Sequence, residues 1–134
     1  MLRSTAIIVA RLIFAGVFAM AAAFKFAGMG ATAAEIAGAG FPMPLVLAWV
    51  AAFFEVGLVV AFLTGLMFRE AALVSVAYVL FLAVAFHGPG RWAANPMEFG
   101  FFVDHFTLVA GLLFAAVHGP GDRMIVRRKL ASAG

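Results

Sequence analysis

The chain has 134 residues, of which 66% are hydrophobic and only 11% are charged. Soluble domains carry about a quarter of their residues as charged ones, and a fold of this size buries only about two-thirds of the surface of its chain. The composition therefore excludes a soluble globular protein and predicts a single membrane domain over residues 1–134, surrounded by lipid. The absence of cysteine excludes disulfides, thiolate-bound iron–sulfur clusters and thiol cofactors, and no haem is indicated. The net charge of +3 is gathered at segment ends, so nucleic-acid binding is not predicted.

Four apolar stretches are long enough, or nearly so, to cross about 30 Å of hydrocarbon as helices. They are predicted at residues 5–28, 45–67, 71–87 and 99–117, in an all-α bundle of four transmembrane helices. Helices are expected because lipid offers no partners to backbone groups, and the chain is too short for a membrane barrel. Residues 31–40, between the first two spans, are predicted to form a short helix at the outer interface. The third and fourth spans both end in His-Gly-Pro-Gly, which is typical of helix C-termini.

The distribution of lysine and arginine predicts the orientation, because short cytoplasmic loops carry an excess of these residues. With both termini in the cytoplasm, the inner side holds Arg3, Arg69, Arg123, Arg127, Arg128 and Lys129. The outer side holds only Arg91 and, at its margin, Lys25. We therefore predict that both termini are cytoplasmic.

Ionisable residues inside the spans are the candidates for function. A charged side chain near the bilayer centre costs about 2.5–3.5 kcal/mol on insertion scales, so such residues normally face the bundle interior and find partners. The candidates for a binding pocket are Arg11, Lys25, Glu55, His87, Asp104 and His105. Arg11 lies about 9 Å inside the cytoplasmic edge of the first span, on the helix stripe of Lys25. The other five are expected to form a polar pocket in the outer half of the bundle.

Helical spacing predicts which faces point inward. Ala48, Ala51 and Ala52 lie on the same side of the second span as Glu55, as a close helix contact requires. In the fourth span, Asp104 is seven residues from Gly111 and fourteen from His118, so these residues are predicted to line one inward side.

The same residues also have a purely structural interpretation. Interhelical hydrogen bonds in membranes are worth only about 0.6 kcal/mol on average, and a lysine near a helix end can extend its charge to the surface. Asp104, His105 and His87 include suitable metal ligands but lack a spacing motif, so no metal site is predicted. A pocket lined by aromatic residues with a histidine and an acid would suit a quinone, whose carbonyl oxygens accept hydrogen bonds and take up protons on reduction.

The chain resembles the DoxX family of small four-helix membrane proteins. The residues that carry the resemblance are Arg11-Leu12, Gly16, Lys25-Phe26, Gly40-Phe41-Pro42-Met43-Pro44, Glu55-Val56-Gly57, Leu63-Thr64-Gly65, Arg69, Ala71-Ala72, His87 and Gly119-Pro120-Gly121. The resemblance implies four transmembrane helices and a location in the bacterial cytoplasmic (inner) membrane. Members of the family have been linked to terminal quinol oxidase, to thiosulfate:quinone oxidoreductase and to complexes that relieve oxidative stress. The resemblance assigns no catalytic residue.

Three hypotheses about function follow. In the first, the protein is a membrane subunit of a respiratory or other redox system, and its outer pocket binds a quinone or supports a partner that does. Glu55 and His105 then handle protons, with Lys25 and Arg11 as charge partners. In the second, it is a non-catalytic assembly or anchoring subunit whose buried charges fix the helix register. In the third, it is a small-solute carrier, which the absence of paired Gly/Pro-interrupted helices opposes. All three expect other membrane-protein subunits or a homo-oligomer as partners.

Overall fold

The computed structural model describes residues 1–126, and this part of the chain is all-helical. The helices are α1 (Leu2–Ala27), α2 (Met29–Gly38), α3 (Pro44–Thr64), α4 (Phe68–His87) and α5 (Met97–His118), with a short 3₁₀ turn at Pro89–Arg91. The basic residues Arg127, Arg128 and Lys129, used above to predict the orientation, lie outside the described residues.

Four of these helices, α1, α3, α4 and α5, are long and apolar enough to cross a membrane. The all-α fold and the four spans predicted from the sequence are thereby confirmed, with small shifts at the ends. The third span begins at Phe68 rather than residue 71, so Arg69 and Glu70 belong to the first turn of α4 and not to the preceding turn. An acidic residue in the first turn is favourable because it faces the positive end of the helix dipole. The short helix predicted at residues 31–40 is α2, which begins and ends two residues earlier.

The ends of the spans follow from glycine and proline. Pro44 occupies the first turn of α3, where its missing N–H is not needed. Gly65 ends α3 in the left-handed conformation, with φ of 72°. Gly119, after α5, has φ of 84°, and a Cβ atom there would lie 2.9 Å from the guanidinium of Arg69. Arg69 uses this space to donate hydrogen bonds to the carbonyl oxygens of Ala116 and Val117, at 3.0 and 2.7 Å.

The helices form two pairs, because α1 packs mainly on α3 and α4 mainly on α5. The N-terminus and the end of α5 lie at the same end of the bundle, where Arg3 Nε is 3.2 Å from His118 Nε2. We call this the terminal end and the opposite one, which carries α2 and Pro89–Arg91, the distal end.

The terminal half of the bundle is closed by packing. The Phe62 ring is fully buried at the centre, with its centroid 5.4 Å from that of Phe14, 5.9 Å from Phe18 and 5.5 Å from Phe68. Leu112 of α5 is fully buried in the same cluster. The two helix pairs therefore meet tightly in this half. The open space between them lies in the distal half.

Candidate functional site

A cavity of about 780 Å³ lies between the two helix pairs in the distal half. Small-molecule sites are typically clefts of about 300–1,000 Å³, mostly apolar, with a few polar groups. The aromatic residues that line this cavity are Phe24, Phe41, Phe54, Tyr78, Phe81 and Phe86. Its polar lining residues are Lys25, Thr32, Glu35, Tyr78, His87 and His105. This composition suits a flat, largely apolar ligand that carries a few hydrogen-bonding groups.

A buried carboxylate connects three helices beside this cavity. Glu55 of α3 is 1% exposed, and its Oε1 accepts hydrogen bonds from Lys25 Nζ of α1 and from Tyr78 Oη of α4, both at 2.8 Å. Ala48 and Ala52, on the same face of α3, are fully buried, as predicted for a close helix contact. The bond to Tyr78 joins one helix pair to the other.

The second carboxylate oxygen of Glu55 is left without a partner. Oε2 is buried and forms no hydrogen bond within the described part of the chain. A buried polar atom without a partner loses about 1–3 kcal/mol of solvation, more when it is charged. Glu55 therefore has an unused position that accepts a hydrogen bond when the carboxylate is ionised and donates one when Oε2 is protonated.

Two histidines form a second polar group on the cavity wall. The rings of His87 and His105 lie with centroids 5.0 Å apart, and both line the cavity. His87 Nδ1 is 2.5 Å from Oε2 of Glu98, at the start of α5. His105 Nδ1 is 2.7 Å from the carbonyl oxygen of Phe101, one turn earlier in α5. Trp92 Nε1 donates a hydrogen bond to the His87 carbonyl at 2.8 Å and so fixes the end of α4.

Arg11 does not line the cavity but lies at the terminal end. Its guanidinium is 3% exposed and donates hydrogen bonds to five backbone carbonyl oxygens, at 2.7–3.2 Å. These belong to Phe62, Leu63, Pro120, Arg123 and Met124. Arg11 thus finds its partners in the end of α3 and in the segment after α5, rather than in a carboxylate. The result is a closed terminal end.

Asp104 also stays outside the cavity, because its side chain is exposed on α5. The inward face of α5 is formed instead by Val109, Leu112 and Ala116. His105 lies on this side, and a neighbour in sequence is turned by about 100° around the helix. The prediction of an inward side is therefore wrong for Asp104 and His118, which are exposed, whereas Gly111 does face the bundle, against the ring of Phe14 in α1. The packing of Val109, Leu112 and Ala116 against the other helices sets this rotation of α5.

Tyr78, the third member of the Glu55 group, was not among the residues predicted from the sequence. A signal was present, because Tyr78 is the only tyrosine and lies in the middle of an apolar span, where its hydroxyl needs a partner. Four of the six predicted residues, Lys25, Glu55, His87 and His105, are brought to the cavity or to its wall. Within residues 1–126, no three histidine or acidic side chains are grouped as metal ligands would be.

Comparison with protein families gave a match to the DoxX family over residues 6–88, which is more than half of the chain. The chain therefore belongs to the DoxX family. The matched residues include α1, α2, α3 and α4, with Lys25, Glu55, Tyr78 and His87, and end before α5. Comparison with curated proteins and comparison with solved structures gave no match.

Proposed function

We propose that this DoxX-family membrane protein binds a quinone or quinol in its distal cavity and serves a redox system as a membrane subunit. The observation that carries the proposal is the combination of an aromatic cavity of about 780 Å³ with two separate polar groups. One group is Lys25, Glu55 and Tyr78, and the other is His87 and His105. A quinone needs apolar walls for its ring and tail, and donors and acceptors for its two oxygen atoms.

The polar groups have the chemistry for such a ligand. Lys25 and Tyr78 both line the cavity: the Lys25 ammonium has N–H donors besides the one bound to Glu55, the Tyr78 oxygen can accept, and the imidazoles supply a donor or an acceptor each. Glu55 holds the two donors in place through Oε1 and keeps Oε2 free. In this proposal Glu55 handles protons, Lys25 is its charge partner, and His105 holds the ligand by a hydrogen bond. Arg11 serves the cavity only indirectly, by closing the terminal end.

The proposed orientation, with the closed terminal end on the cytoplasmic side, follows from the distribution of lysine and arginine. With the termini in the cytoplasm of a bacterial cell, the cavity lies in the outer half of the inner membrane. Arg11 and the segment after α5 close the cytoplasmic end of the bundle, so ligands reach the cavity from the outer half of the membrane.

The binding part of the proposal is tested with purified protein in lipid nanodiscs titrated with decylubiquinone. Quenching of tryptophan fluorescence measures the affinity. We expect saturable binding. The affinity should be at least about tenfold lower in F54A, because Phe54 lines the cavity and packs edge-to-face on Tyr78, with the ring centroids 4.9 Å apart. A tenfold change corresponds to about 1.4 kcal/mol, which is in the range for an aromatic contact together with its buried area.

The matched control is F114A, because Phe114 is 79% exposed and lies toward the terminal end of α5. Its affinity should stay within about twofold of the unchanged protein. Equal losses in F54A and F114A, or quenching that does not saturate, would show that the quinone only partitions into lipid and would contradict the proposal.

The redox part of the proposal is tested in native membranes. Quinol-dependent oxygen consumption is compared between cells with the unchanged protein and cells with E55Q, at equal protein levels. We expect a lower rate in E55Q, since the amide that replaces the carboxyl group cannot take up and release a proton. Extraction in mild detergent should then recover an oxidoreductase partner. An unchanged rate in E55Q and no such partner would exclude the redox role even if quinone binds.

A second candidate function is that of an assembly subunit without a ligand. It is favoured by the Glu55 group itself, because its two hydrogen bonds connect α1, α3 and α4 and would fix the helix register with no ligand present. In this case the E55Q variant would lose stability and partner recovery together, while decylubiquinone would not bind to either form.

A further inference from the structure

Two hydrogen bonds at the rim of the cavity determine how the two histidines can exchange protons. A backbone carbonyl oxygen only accepts, so the hydrogen bond between His105 and Phe101 requires a proton on Nδ1 of His105. The neutral ring then has Nε2 as an acceptor. Because a carbonyl cannot take up a proton, any proton that His105 receives at Nε2 must leave from Nε2 again.

His87 differs from His105 in the partner of its Nδ1. The partner is the carboxylate of Glu98, and one proton lies between Nδ1 and Oε2, on either atom. His87 can therefore receive a proton at Nε2 while Nδ1 passes its own proton to Glu98. Within residues 1–126, Nε2 of His87 and Nε2 of His105 form no hydrogen bond to the protein, and both rings line the cavity.

The position of Glu98 completes the connection to the surface. Glu98 lies in the first turn of α5, at the distal end, and its side chain is 17% exposed against 26% for His87. The His87 ring thus stands between the cavity and a carboxylate that water can reach. Trp92 Nε1 donates a hydrogen bond to the backbone carbonyl of His87 and so holds the end of α4 that carries this ring.

We propose that His87 and Glu98 form the proton outlet of the cavity to the distal surface and that His105 is a hydrogen-bond acceptor that positions the hydroxyl of the ligand. This inference rests on the proposed function and takes a quinol as the ligand. The hydroxyl O–H bond breaks as an N–H bond forms at His87 Nε2. The Nδ1–H bond breaks as an O–H bond forms at Glu98, and Glu98 then releases the proton to water. The step moves one proton and no electron.

The test is ¹⁵N NMR of the imidazole groups in nanodiscs, which is practicable because the chain has only three histidines. Decylubiquinol is the added ligand, and His118, at the terminal end, is the internal control. We expect a protonated Nδ1 on His105, and ligand-induced shifts at Nε2 of His87 and His105 but not on His118. We also expect the imidazole N–H of His87 to exchange with water much faster than that of His105.

The decisive variant is E98Q, which keeps an oxygen acceptor for Nδ1–H but cannot take up its proton. Exchange of the His87 N–H should become at least about tenfold slower, while the ligand still shifts both rings. The matched control is E70Q, which changes an acidic residue in the first turn of another helix, α4, outside the cavity, and should leave this exchange within about twofold.

Exchange in E98Q as fast as in the unchanged protein would overturn the outlet, and so would a proton on Nε2 rather than Nδ1 of neutral His105. If decylubiquinol quenches tryptophan fluorescence saturably but shifts neither ring, the outlet is wrong and quinone binding stands. If it neither quenches nor shifts, the proposed function fails as well.

Discussion

The ion pair between Lys25 and Glu55 allows a quantitative test of how the two helix pairs are held. In K25M, the Glu55 carboxylate stays 1% exposed but keeps only the hydrogen bond from Tyr78. Removing one partner of a buried pair typically costs about 3–5 kcal/mol, because the other charge is left uncompensated. We therefore expect K25M to lower the free energy of unfolding by about 3–4 kcal/mol.

The variant E55Q, which removes the other partner of the pair, should lower the free energy of unfolding by less than K25M does. Lys25 is 18% exposed and lies near the end of α1, so its ammonium group can extend toward the membrane surface when the carboxylate is removed. We expect a loss of about 1–2 kcal/mol. The double variant K25M/E55Q has no buried charge at this place, and its free energy of unfolding should be lower by about 2 kcal/mol. The pair is thus expected to show a coupling energy of about 2–4 kcal/mol.

Unfolding in mixed micelles by increasing amounts of SDS, followed by circular dichroism, measures these differences. The control cycle combines K25M with E35Q. Glu35 also lines the cavity but is not the hydrogen-bond partner of Lys25, so the two effects should add within about 0.5 kcal/mol. A coupling below about 0.5 kcal/mol in the K25M/E55Q cycle would refute the reasoning, because the charges would then be independently solvated rather than paired between helices.

Three further outcomes are expected for stability. R11M should lower the free energy of unfolding by about 3–5 kcal/mol and expose the segment after α5 to trypsin, because five carbonyl oxygens lose their donor. The control R91M changes an exposed arginine and should have neither effect. G119A should cost about 2 kcal/mol by the same unfolding assay, because φ is 84° and the new Cβ would displace the guanidinium of Arg69; a neutral effect would show that this arginine is not held there. Y78F should cost about 1–2 kcal/mol, less than K25M, and a larger loss than that of K25M would contradict the order of the two donors.

The surrounding solvent and the secondary structure of this protein follow from its residues alone. A chain with 66% hydrophobic residues can only be covered by lipid, and in lipid every backbone group needs a partner within its own segment. Glycine and proline at the ends of the apolar stretches then placed the helices to within a few residues. The burial of Glu55 and its need for a hydrogen-bonding partner also follow from local facts, because an isolated charge in the middle of a span is too costly.

Which charges meet depends instead on how the helices pack. Arg11 and Lys25 share one stripe of α1, yet Arg11 binds carbonyl oxygens at one end of the bundle and Lys25 binds a carboxylate near the other. A guanidinium with five donors is satisfied equally well by carbonyls or by an acid, and the sequence does not state which will be near. The rotation of α5 likewise depended on the fit of Val109 and Leu112 against the other helices, which turned His105 inward and Asp104 outward. Packing is a property of all helices together, so the pattern of one segment could not determine it.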